Sequence, residues 1–75
     1  MIKDLDANPR HWTKDDVQRV REYCHENGGG KTQLFPTIVE GGEKSSPTWC
    51  EIDNDGVLLV WFYTCLMKVE WRFKP

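Results

Sequence analysis

From residue 49 onward the hydrophobic positions alternate along the chain. Cys50, Ile52, Leu58, Val60 and Phe62 fall on one side of an extended backbone. Met67, Val69, Trp71 and Phe73 continue the set, with Lys68, Glu70 and Arg72 between them. Alternation with a period of two marks strands that bury one face. Nearer the N-terminus the spacing changes: Val17, Val20 and Cys24, widened by Tyr23, make a narrow stripe on one side of a helix. The limits of that helix are written in its end residues. Thr13 is an N-cap candidate and Asp16 can reach back to complete a capping box, while Trp12 and Val17 occupy the two positions of a hydrophobic staple. Asp15 and Asp16 suit the positive end of the helix dipole, and Gly28 after Asn27 supplies a left-handed stop. These signals predict a helix over residues 14–27.

Residues 28–31 (Gly-Gly-Gly-Lys) read as a flexible connector. Residues 33–40 read as a strand, but Pro36 lacks an N–H donor and confines it to a sheet edge. Residues 41–47 read as a polar loop.

The pairing of the last three strands follows from their side chains. Around Asp53-Asn54-Asp55-Gly56 a two-residue loop would set Glu51 opposite Leu58 and bury a carboxylate. A three-residue loop with Gly56 left-handed in a bulge pairs Ile52 with Leu58, Cys50 with Val60, Glu51 with Leu59 and Trp49 with Trp61. A slip of one residue exchanges the faces of a whole strand, so the bulged turn is chosen. A second turn at Thr64-Cys65 is expected to pair Phe62 with Met67, Val60 with Val69 and Leu58 with Trp71. Trp61 then faces Lys68, Leu59 faces Glu70 and Val57 faces Arg72. Both hairpins assign Leu58, Val60 and Phe62 to one face.

The architecture expected is α+β: one N-terminal helix packed on a three- to four-stranded antiparallel sheet, an α-β-β-β-β meander. It is read as a single domain over residues 1–75, with an N-terminal arm (1–11), the helix (13–28) and the sheet (33–73). The helix should cover the inner face through Val17, Val20 and Cys24, with Trp12 at its edge.

That leaves the outer face. The central strand carries Val57, Leu59, Trp61 and Tyr63 there, beside Trp49, with Lys68 and Arg72 on one flank and Glu51 and Asp53 on the other. A sheet with one wet face normally keeps that face polar. Three accounts compete: cover by the arm (Leu5, Pro9) or by residues 34–39, an interface with another protein or a second copy, and stacking of single-stranded nucleic acid on Trp49, Trp61 and Tyr63. The last strand, residues 66–73, offers a second candidate, a free edge open to pairing, although Lys68, Glu70 and Arg72 equally suit the charges that block it.

Composition narrows these choices. A 75-residue chain buries only about 60 % of its unfolded surface, too little for a large enclosed active site. With 39 % hydrophobic residues and four Trp it is not a disordered segment. A net charge of −2 disfavours nucleic acid, whose binders usually show a strong basic excess. The first residues carry acids where a signal peptide would be apolar, and no apolar run reaches membrane-spanning length. A cytoplasmic location with no membrane contact is therefore expected. Cys24, Cys50 and Cys65 are odd in number and widely spaced, which predicts reduced, mostly buried thiols and no disulfide framework.

The residues that resemble chemical motifs have plainer readings. Gly28-Gly29-Gly30-Lys31-Thr32 lacks the earlier Gly of a phosphate-binding loop, having His25 in its place, and it follows a helix where such a loop follows a strand. Cys24, His25, Cys50 and Cys65 lack the paired spacing of a structural zinc site. His11 and His25 have no Ser or Cys placed beside them as a nucleophile. Lys14, Arg19 and Arg21 are balanced by Asp15, Asp16, Glu22 and Glu26, as on a solvated helix face. The sequence is thus read as a non-enzymatic, cofactor-free, metal-free interaction module of inhibitor or adaptor type, of the size encoded by phages and mobile elements. It would bind a protein partner or a second copy through Trp49, Leu59, Trp61, Tyr63, Lys68 and Arg72, the alternative being single-stranded nucleic acid on the same residues.

Overall fold

The computed structural model describes residues 5–6, 8–35, 39–40, 43–44 and 47–75. Among the described residues one α-helix, α1 (Lys14–Glu26), precedes six strands: β1 (Thr32–Phe35), β2 (Val39–Glu40), β3 (Glu43–Lys44), β4 (Thr48–Ile52), β5 (Leu58–Tyr63) and β6 (Lys68–Phe73). A four-stranded antiparallel sheet has the order β1-β4-β5-β6, and β2 pairs with β3 in a separate two-stranded ladder. The α+β meander expected from the sequence is therefore the fold, with a small ladder set between its first two main strands. Pro36 lies outside the described residues, but β1 is an edge strand. The expected loop over 41–47 contains β3, and residues 41–42 and 45–46 lie outside the described residues.

The helix forms as its end residues dictate. Thr13 accepts from the Asp16 N–H at 3.2 Å while the Asp16 carboxylate accepts from the Thr13 N–H at 3.0 Å, completing the capping box. At the other end the Gly29 N–H reaches the Cys24 carbonyl and the Gly28 N–H the His25 carbonyl, the paired bonds of a Schellman stop. Gly28 has φ 95° and Gly29 φ 77°, a region that disfavours side chains. The connector is then tied to the sheet by the Ile52 N–H, which donates to the Gly29 carbonyl at 2.9 Å.

Val20 and Cys24 of α1 pack with Leu34, Cys50, Leu58 and Val60 of the sheet, all fully buried. Leu5, Trp12, Val17, Tyr23, Ile52 and Phe73 close round this cluster. The N-terminal segment is more organised than a polar arm. Asn8 caps a short 3-10 turn (Pro9–His11), Asp6 accepts from the Asn8 N–H and meets the His11 ring at 3.0 Å, and the Trp12 indole donates to the Asp6 carbonyl at 2.7 Å. The Asn8 N–H first, and then the His11 ring, hold the Asp6 carboxyl below its ordinary pKa. Pro9 is buried and shares a shallow hollow with Phe62, Val69 and Trp71, so this segment extends the helix layer on the inner face.

The β4–β5 register is the expected one: Trp49 with Trp61, Cys50 with Val60, Glu51 with Leu59 and Ile52 with Leu58. The turn carries the expected left-handed Gly56 at φ 81°. The Asp53 carboxylate accepts from the N–H groups of Asp55 and Val57 and so holds the turn together from within.

The β5–β6 register differs. Tyr63 pairs with Lys68, Phe62 with Val69, Trp61 with Glu70, Val60 with Trp71, Leu59 with Arg72 and Leu58 with Phe73. This is a slide of two residues from the expected pairing, which preserves every face because the side-chain period is two. Thr64 explains the slide, since its hydroxyl accepts from the Leu66 and Met67 N–H groups and its own N–H donates to the Met67 carbonyl. Met67 is thereby drawn into the turn and stands 63 % exposed, where the alternation had placed it on the inner face. Phe73 gains Leu58 as its partner and stacks on Trp12 at 5.6 Å.

Candidate functional site

The ladders place Trp49, Glu51, Leu59, Trp61, Tyr63, Lys68, Glu70 and Arg72 on the side of the sheet opposite α1. The six residues singled out from the sequence thus share one face. Their depths differ. Trp61 is only 5 % exposed although it takes no part in the core cluster under the helix; of the segment 34–39 weighed as a cover for this face, Leu34 lies in that core cluster and residues 36–38 lie outside the described residues. The Trp61 indole N–H is buried with no hydrogen-bond partner among the described residues. Trp49 and Leu59 are half-buried around it, and Tyr63 is 48 % exposed.

Charged groups frame these rings. The Lys31 ammonium lies 4.4 Å from the centre of the Trp49 ring, and that of Lys68 lies 5.1 Å from Trp61, both within cation–π range. Glu70 contacts Lys68 at 2.9 Å through one carboxylate oxygen and Arg72 at 2.9 Å through the other. The Lys68 hydrogen bond first, and then that of Arg72, draws the Glu70 carboxyl below its usual pKa; the same bond raises that of Lys68. Asp53, expected as a charge on this face, is occupied by the turn it stabilises.

The apolar surface continues past Tyr63 into the turn that follows. Leu66 is 88 % exposed and Met67 63 %, with Cys65 exposed between the strands. The alternation starts the last strand at residue 66 and sets Met67 on the inner face, so it gives this tip no role of its own. The run Leu66-Met67 beside a turn-forming Thr64 was the available signal.

One further residue behaves differently from expectation. Arg21 is not part of a solvated basic face: its guanidinium donates to the Gly56 carbonyl and to those of Phe73 and Lys74, at 3.0 and 3.1 Å for the last two. It fastens the helix to the β4–β5 turn and to the end of β6 together. Of the thiols, Cys24 and Cys50 are buried and Cys65 is exposed. Burial pushes the Cys50 thiol up to about 12, with the neighbouring Cys24 adding to the effect.

Among the described residues no group of three or more His, Cys, Asp and Glu is placed to hold a metal ion, and no helix is long and apolar enough to cross a membrane. No family model, curated protein or solved structure matches the chain.

Proposed function

We propose that this chain is a small protein-interaction module that works by occupying a partner's surface, in the manner of an inhibitor or adaptor, without chemistry or a cofactor of its own. Such a role suits a cytoplasmic protein of phage or mobile-element type. The observation that carries the reading is the outer sheet face. Trp49, Leu59 and Tyr63 surround Trp61 on the side away from the helix, and the exposed Leu66 lies in the turn just beyond Tyr63. Aromatic residues and arginine are the side chains most enriched where binding energy concentrates at interfaces. Trp49 and Tyr63 would make the contact, with Trp61 beneath them as a rigid floor and Lys68 and Arg72 supplying polar contacts at the rim.

Single-stranded nucleic acid fits the same rings less well. Lysine ammonium groups already lie over Trp49 and Trp61, and Glu70 engages both Lys68 and Arg72, which phosphates would need.

The test places a photoactivatable benzoylphenylalanine at Tyr63, and in a second protein at Gln18 on the exposed helix face, and irradiates each in an extract of the source cells. The reading expects a discrete, saturable protein adduct from position 63 that excess wild-type chain competes away and Trp49→Ala does not. An adduct that nuclease treatment abolishes, one formed equally from position 18, or one that Trp49→Ala competes as well as wild type overturns it.

A further inference from the structure

We propose that β6 pairs antiparallel with β6 of a second copy of this chain, about a two-fold axis through Val69, joining the two sheets into one. This contact uses the edge of the sheet rather than its outer face, so it stands apart from the interaction proposed above.

β6 is the terminal strand of the order β1-β4-β5-β6, and among the described residues nothing pairs with its far side. Which of its backbone groups point outward follows from the ladder. Thr64 donates to the Met67 carbonyl and so belongs to a hydrogen-bonded pair in the β5–β6 register. Antiparallel pairs alternate between bonded and non-bonded. Met67, Val69, Trp71 and Phe73 therefore direct their N–H and C=O groups at β5, and Lys68, Glu70 and Arg72 direct theirs outward. The β4–β5 ladder gives the same phase independently. Asp53 donates to the Val57 carbonyl there, which turns Leu59 and Trp61 toward β4 and leaves Val60 and Phe62 facing β6.

A two-fold antiparallel pairing joins outward-pointing residues to one another. Centred on Val69, it sets Lys68 opposite Glu70 of the second copy and Glu70 opposite its Lys68, each pair exchanging both backbone hydrogen bonds. Val69 meets Val69, and the exposed Met67 meets the half-buried Trp71 of the other chain on the inner face. Centring on Glu70 sets two carboxylates face to face, while centring on Trp71 opposes Glu70 to Arg72 but runs Lys68 against Lys74 and the exposed Met67 against Pro75, beyond the end of the strand. Charges on an edge strand ordinarily discourage pairing. Here their order, positive then negative on a two-residue repeat, makes the edge complementary to itself. Lys68 and Glu70 already meet within one chain, and the pairing lets each serve the other chain as well.

The experiment is sedimentation equilibrium across protein concentration, combined with residue-resolved amide hydrogen exchange on the wild-type chain. Expected is a rise in mass from 8.8 kDa to twice that value, with the Lys68 and Glu70 amides becoming protected as the dimer forms. Lys68→Glu and Glu70→Lys each place like charges opposite one another at both pairs and should hold the chain at monomer mass. The double exchange restores opposite charges and should recover the dimer. Monomer mass at every wild-type concentration overturns the proposal, as does a dimer whose Lys68 and Glu70 amides still exchange freely or one that both single variants retain. Should a single variant fail to fold, the wild-type exchange pattern decides alone.

Discussion

Arg21 offers the sharpest quantitative test of how this small domain is held together. Its guanidinium forks onto three backbone carbonyls, those of Gly56 in the β4–β5 turn and of Phe73 and Lys74 at the adjoining end of β6. A hydrogen bond from a charged donor contributes about 1.5–3 kcal/mol net when buried. These bonds are only partly buried and share one side chain, so their sum is well below three times that figure. Removing the side chain also strips the packing of its aliphatic stem beside the helix. Arg21→Ala should therefore destabilise by about 2–3 kcal/mol, out of a total of roughly 4–11 kcal/mol for a chain of this length. Arg21→Met keeps the stem and should lose somewhat less. Arg21→Lys keeps the charge but cannot fork, recovers one carbonyl at most, and should lose about 1 kcal/mol. For a domain of this size each kcal/mol lowers Tm by about 4–8 °C, so Ala should melt roughly 10–20 °C below wild type. Thermal unfolding followed by circular dichroism, with urea midpoints as a check, reads the series. If Ala, Met and Lys all melt within about 2 °C of wild type, the clamp contributes nothing and the reasoning fails.

Other perturbations follow from the same contacts. Gly56→Ala puts a side chain at φ 81°, where Cβ also comes within 3.4 Å of Pro75, and should cost about 1–2 kcal/mol by urea denaturation. Thr13→Ala removes the N-cap and should cost about 0.5–2 kcal/mol, which Thr13→Ser should largely recover. Native protein treated with a thiol reagent at neutral pH should be modified at Cys65 alone, with Cys24 and Cys50 reacting only after unfolding, as intact mass and peptide mapping would record. The raised Cys50 pKa means that the folded state holds its proton more tightly than the unfolded chain. The stability this contributes is complete below pH 9 and falls as pH rises toward about 12, and Cys50→Ser should remove that part of the alkaline decline in urea midpoint.

Much of this fold could be read from local chemistry. The caps of α1 and the β4–β5 register rest on side chains that act within a few residues of themselves, namely Thr13 with Asp16 and Asp53 with Gly56, and both are as the sequence implied. The β5–β6 register was legible only to its parity. Alternation fixes which face Val69 and Trp71 occupy, whereas the choice between two pairings of equal parity belongs to the Thr64 hydroxyl and to contacts made by Phe73. The Arg21 clamp had no sequence signature, because its acceptors are backbone carbonyls that any residue supplies. The members of the outer face could be named from the pattern, but their depth could not. Trp61 and Tyr63 share one strand face, and one is 5 % exposed while the other is 48 % exposed. That difference redirects mutagenesis. Trp61→Ala would remove a buried indole at about 3–5 kcal/mol and confuse folding with binding, so Trp49 and Tyr63 are the residues to change.

The central claim, that the side of the sheet opposite the helix is the contact surface, is tested most directly by mapping amide chemical shifts. The labelled chain would be titrated with the protein captured at position 63. The account predicts changes concentrated at Trp49, Leu59, Tyr63, Lys68 and Arg72, little altered by raising salt, with Gln18, Glu22 and Glu26 on the exposed helix face unmoved. Shifts that gather along α1 instead, or binding that collapses steeply with salt as phosphate contacts do, would contradict it.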